Sequence, residues 1–108
     1  VRSVPVMNDA TYAEAEYCGM DEIAKVIENG IEGPFPGTDL SKCSQELQTL
    51  LKQADLVISK GGGNHESLDE YKHLLNNICF MLMCKCLPQQ QWFNTKLYDP
   101  ILQVCFDS

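Results

Sequence analysis

The sequence predicts an α/β protein, a three-layer α/β/α arrangement built on a mostly parallel, Rossmann-like sheet. Three observations predict it. Two short runs, residues 56–59 and 78–83, are apolar or small without polar alternation, the pattern of strands covered on both faces. Stretches with apolar residues at helical spacing separate the candidate strands. The first of those runs ends in Lys60-Gly-Gly-Gly-Asn64, and in open α/β sheets ligands bind outside the carboxyl ends of the strands.

The elements follow in order. Residues 1–7 are extended in character, with Pro5 tolerated near an edge or strand end, and they run into Asn8 and Asp9. Thr11 followed by Glu14 is a capping-box pattern for a helix through about Tyr17, and Gly19 suits its stop. Residues 20–24 read as a helical turn. Residues 25–28 carry the β-branched pair Val26 and Ile27 and read as a second strand, turned by Asn29-Gly30. Residues 31–39 hold Gly33, Pro34, Pro36 and Gly37, the composition of a loop at a functional surface. From Ser44, the positions Leu47, Leu50, Leu51 and Ala54 form a one-sided helical stripe that leads into strand 56–59. After the glycines, residues 66–75 read as a helix with Leu68, Tyr71, Leu74 and Leu75 on one face, and 78–83 as the next strand. The tail 89–108 has another character: three glutamines, Trp92, Phe93 and a short helix near 100–106.

Composition narrows the function. With 108 residues and 44% apolar content the chain suits one small domain. Its longest apolar run, 78–84, is far short of the ~20 residues a bilayer helix needs. A net charge of −7, from eight Lys plus Arg against fifteen Asp plus Glu, disfavours nucleic acid as a partner. No signal peptide opens the chain, and none of the six cysteines forms a Cys-x-x-Cys pair, so reduced, mostly buried thiols in a cytoplasmic protein are expected. Cys84 and Cys86 alternate about Lys85 at strand period, a poor zinc arrangement. The opening reads like the middle of a strand, as in a part of something larger.

The strand ends carry the chemistry: Asn8 and Asp9, Asn29 and Gly30, Lys60 to Asn64, and Lys85 are expected on one rim. Gly61 and Gly62 let backbone amides approach a ligand that a Cβ would keep away, and with Lys60 beside them they suit an anion, phosphate above all. This is not a Walker loop, because the lysine precedes the glycines. Asp9 is the candidate ligand for a hard divalent cation, with capping of the following helix as the alternative. Asn64 caps a helix, orients the phosphate, or does both. His65 reads as a helix-start residue rather than a base, and Glu66 as a dipole partner.

Several ordered pieces, Val4-Pro-Val-Met-Asn-Asp-Ala-Thr11, Val26-Ile-Glu-Asn-Gly30 with Pro36-Gly-Thr38, Cys43-Ser-Gln-Glu-Leu47, Ala54 to Glu66, and Cys84-Lys-Cys86, together resemble one family. It is the metal-dependent damage-control phosphatases, also known as domain of unknown function eighty-nine, in their stand-alone prokaryotic-type branch. The resemblance covers 1–88, as the C-terminal part of the family's domain, and leaves 89–108 as a divergent tail. It departs at the loop, where Gly62 stands for the family's usual glutamine and His65 for an aromatic residue. The resemblance implies hydrolysis of small phosphorylated metabolites, such as sugar phosphates, with a divalent ion (Mg, Mn, Ni or Co). Asp9 would hold that ion together with an Asp-Asn pair on an earlier strand, and Lys60 would contact phosphate. That earlier pair is absent from these 108 residues. A missing N-terminal segment of the same protein is therefore an expected partner, and a non-catalytic phosphate-binding module or a structural half-domain is the alternative.

Overall fold

Strands β1 (Val57–Lys60), β2 (Asn77–Met83) and β3 (Pro100–Phe106) form one sheet in the order β1-β2-β3 in the computed structural model, which describes residues 1–106. β1 runs parallel to β2, with Val57 beside Ile78 and Lys60 beside Met81. β3 runs antiparallel to β2, pairing Ile78 with Cys105 and Leu82 with Ile101. Helices α1 (Tyr12–Tyr17), α2 (Gln45–Gln53), α3 (Gly62–Leu68) and α4 (Leu87–Phe93), with short 3₁₀ turns, complete a mixed α/β fold.

The expected helix near 100–106 is a strand, and the sheet is mixed rather than mostly parallel. Exposure along β3 alternates with period two, with Ile101, Gln103 and Cys105 as its more covered positions, and Pro100 sits at the first residue of an edge strand, where its missing N–H costs nothing. The antiparallel entry is set by the turn after α4: Asn94 turns in the left-handed region, and the pairing Cys84 N–H to Asp99 O, 2.9 Å, starts β3 beside the end of β2. The part of the 89–108 tail beyond Phe106 lies outside the described residues.

The expected strands at 1–7 and 25–28 are also absent. Their backbones do meet: the Val1 amine donates to Ile27 O (2.9 Å) and Val1 O accepts from Asn29 N–H (2.8 Å). A single such residue makes no ladder, and among the described residues the bridge of the first segment pairs Arg2 with Thr11. Helix α2 starts as expected, with Ser44 Oγ accepting from Leu47 N–H at 3.2 Å. Thr11 stands at the N-cap of α1, but its hydroxyl bonds the Glu14 carboxylate (3.1 Å) rather than a backbone amide. The third helix begins at Gly62, earlier than residue 66, and a 3₁₀ turn, Asp69–Leu74, replaces its second half.

One face of the sheet carries the core. Val57, Ile78, Phe80 and Leu82 are buried there under Leu51 of α2, Leu68 of α3, Phe93 of α4 and Leu75. Each such side chain contributes about 1.5–3 kcal/mol by leaving water. The opposite face is apolar and open: Ile58 is 62% exposed, Leu102 67% and Phe106 72%, with Met81, Met83 and Val104 also exposed. No helix among the described residues is long and apolar enough to cross a membrane.

Candidate functional site

A cleft of about 520 Å³ brings together Arg2, Asp9, Asn29, Ser59, Lys60 and Asn64. Asp9, Lys60 and Asn64 thus share one rim, as the sequence leads one to expect. Asp9 gets there differently from the expected strand end. Its loop closes with Asp9 N–H to Val6 O (2.9 Å), and its carboxylate is held by Arg2. Arg2 Nε and Nη2 both donate to the same oxygen, Oδ2, at 3.1 and 3.0 Å. The Asp9 side chain is 46% exposed. Asp9 does not cap α1, since Thr11 holds the N-cap position.

Lys60 ends β1, pairs with Met81 and is exposed, and among the described residues its ammonium has no carboxylate partner. Gly61 then turns the chain with φ +97°, ψ 154°, a conformation essentially closed to residues with a Cβ. Its own N–H is spent on Met81 O at 2.9 Å, so Gly61 supplies shape rather than a free donor. Gly62 faces Gln89: a Cβ there would lie 2.6 Å from the Gln89 amide nitrogen. Gln89 is itself buried and anchored, its Oε1 accepting from Lys85 N–H at 2.7 Å. Glycine at 62 leaves room for a glutamine from α4.

The proline-glycine loop locks this turn in place. Thr38 Oγ donates to Asn64 Oδ1 (2.7 Å), Asn64 Nδ2 donates to Lys60 O (2.6 Å), and Thr38 N–H donates to Ser67 Oγ (2.7 Å). Gly37 takes φ +76°, and a Cβ there would meet Gly63 O at 2.5 Å. Both sides of the Asn64 amide are therefore engaged in holding the loop. Lys85, expected on the same rim, lies instead in a second cleft of about 600 Å³ with Lys60, Gly61, Gly62 and Gln89. The unforeseen residues are Arg2 and Ser59, whose buried hydroxyl has no hydrogen-bond partner among the described residues. A lone arginine inside Val1-Arg-Ser-Val-Pro-Val6 was the available signal for the first.

Two other reactive groups, Cys43 and His65, are held quiet. Burial pushes the Cys43 thiol up to about 11, so it stays protonated and is no nucleophile. All six cysteines are free. His65 is 1% exposed and packed edge-on against Phe80 and Trp92, with ring centres 4.8 and 4.7 Å away. Burial holds its pKa below the ordinary 6.5, so it is neutral at pH 7 and serves packing. The unfolded chain then takes up a proton below pH 6.5 that the folded chain refuses, so stability is full above 6.5 and declines as pH falls below it. Denaturation at pH 7.5, 6.5 and 5.5 should show this loss, at up to about 1.4 kcal/mol per pH unit, and His65→Phe should flatten it. An unchanged slope in the variant would refute the assignment.

Comparison with known proteins places the chain in a lineage. The model of the damage-control phosphatase ARMT1-like domain matches residues 1–101. An uncharacterized protein of Methanocaldococcus jannaschii is 39% identical over 103 residues, 94% of this chain and 33% of its own length. A damage-control phosphatase of Archaeoglobus fulgidus is 30% identical over 104 residues, covering 96% of this chain and 35% of the relative. The crystal structure of a DUF89 family protein from Pyrococcus horikoshii superposes with a TM-score of 0.79 at 30% identity, over 92% of this chain and 33% of that one. The chain spans about a third of the length of these relatives and corresponds to their C-terminal part.

Proposed function

The chain belongs to the damage-control phosphatase ARMT1-like domain family, and on that premise we propose that it forms part of a metal-dependent phosphatase acting on small phosphorylated metabolites such as sugar phosphates. One observation carries the reading. An exposed lysine with no carboxylate partner among the described residues and a carboxylate with only one oxygen engaged by Arg2 line the same cleft, although they lie far apart in sequence.

The donor chemistry fits a divalent cation that accepts oxygen ligands (Mg, Mn, Ni or Co), because the free oxygen of a half-exposed carboxylate suits such an ion. Among the described residues no three His, Cys, Asp or Glu converge, so Asp9 would be one ligand of several, and the span of only about a third of the relatives' length fits a site completed by other parts of a longer polypeptide. Held in part by Asp9, such an ion would supply Lewis-acid polarisation of a phosphoryl oxygen and a lowered pKa for its bound water. Lys60 binds the phosphate and offsets negative charge on the transferring group. Asn64 and Thr38 keep Lys60 at the cleft, and the Gly61 turn keeps side chains out of the way. The open sheet face supports a further part of the proposal: in the intact protein a second helical layer covers Ile58, Met81 and Leu102, completing a three-layer α/β/α domain in the cytoplasm.

The test is phosphate release from p-nitrophenyl phosphate and a panel of sugar phosphates by the intact protein. Turnover should vanish on chelation and return with Mg, Mn, Ni or Co. Phosphate binding without turnover under every metal would instead establish a binding module.

A further inference from the structure

We infer that Arg2 is a positioning residue: it grips one oxygen of Asp9 so that the other faces the cleft, and it ties Asp9 to the loop that holds Lys60. The inference rests on the phosphatase reading above and concerns this chain's own residues. An arginine facing a carboxylate usually makes two parallel bonds, one to each oxygen. Here Nε and Nη2 converge on Oδ2 alone, at 3.1 and 3.0 Å, and Oδ1 is left without this partner on a side chain that is 46% exposed.

The remaining nitrogen points the other way. Arg2 Nη1 donates to Phe35 O (3.1 Å) and Gly37 O (2.6 Å), and the residue as a whole is only 8% exposed. Gly37 is followed by Thr38, whose hydroxyl holds Asn64, whose amide in turn holds the carbonyl of Lys60. One planar guanidinium therefore connects the carboxylate half of the cleft to its lysine half through residues 37, 38 and 64. A lysine cannot replace it, because a single ammonium has no fixed fork with which to serve a carboxylate oxygen and two carbonyls at once. A surface latch would need neither the burial nor the convergence on one oxygen.

The experiment measures Mn²⁺ affinity of the intact protein by electron paramagnetic resonance, alongside turnover and melting temperature. Arg2→Gln should weaken Mn²⁺ binding about 10–100-fold, as loss of a partner orienting a metal ligand does, and Arg2→Lys should recover only part of it. Variants that melt lower yet bind Mn²⁺ like the wild type would overturn the proposal. The wild type gives a reading that needs no variant to fold: the Arg2 Nε–H resonance should shift when Mg²⁺ is added, and an unmoved signal also overturns it. Asp9→Asn, measured in parallel, separates the two levels. If that variant keeps its Mn²⁺ affinity, the metal reading of the cleft has failed; if it loses affinity while Arg2 variants do not, only the positioning role has.

Discussion

Replacing Lys60 with alanine in the intact protein is expected to cut metal-dependent hydrolysis of a sugar phosphate or p-nitrophenyl phosphate at least about a hundredfold, or about 2.7 kcal/mol of transition-state stabilisation. The size follows from the role. In phosphoryl transfer the protein contributes positioning and charge rather than covalent chemistry, so a single well-placed cation carries much of the effect. Lys60 has no competing carboxylate among the described residues, and its backbone is fixed from two sides, by the β1–β2 ladder and by Asn64. Stability should hardly change. The side chain is exposed and unpaired, and truncation at such a site usually stays within about 0.5 kcal/mol. Lost activity with an unchanged melting temperature is thus the expected pair of results. Near-wild-type turnover would remove Lys60 from the mechanism.

The cleft was only partly legible in the sequence, and the reason lies in what sets each position. Strands 57–60 and 77–83 announce themselves as short, almost unbroken apolar runs, and helix α2 by its one-sided apolar stripe behind a serine cap. Segments 1–7 and 25–28 have the same local composition as strands, yet a strand exists only where a neighbour pairs with it, and local sequence does not specify that neighbour. Pro100 and the mixed residues after it hide an edge strand whose partner, β2, is already complete in the sequence. That Asp9 and Lys60 would line one cleft was readable because carboxylates and lysines beside turns are conspicuous. Arg2 was not, since a buried arginine is recognised by three acceptors that arrive from residues 9, 35 and 37.

That arrangement sharpens what Asp9→Asn should do. An amide has nearly the shape of a carboxylate, and its carbonyl oxygen is an acceptable ligand for a hard cation, so shape alone would forecast a mild defect. Arg2 changes the forecast. Its Nε and Nη2 hydrogens both need an acceptor at the position of Oδ2, so the introduced amide must turn its carbonyl oxygen towards Arg2. Its NH₂ group then faces the cleft, and a nitrogen carrying two hydrogens has no lone pair to offer a cation. Asp9→Asn should therefore behave like a full deletion of the ligand, with turnover down at least about a hundredfold and Mn²⁺ affinity lost with it. The fold should survive, because the asparagine carbonyl still accepts both Arg2 hydrogen bonds and residue 9 stays half-exposed to water, although the buried Arg2 loses its counter-charge and the melting temperature should fall. Substituting Arg2→Gln in the Asp9→Asn background should relieve the forced orientation and restore part of the Mn²⁺ affinity, the opposite of its effect in the wild type. Titration of the double variant against the single one checks this sign, and a further loss of affinity would mean that Arg2 does not choose which atom of residue 9 meets the metal.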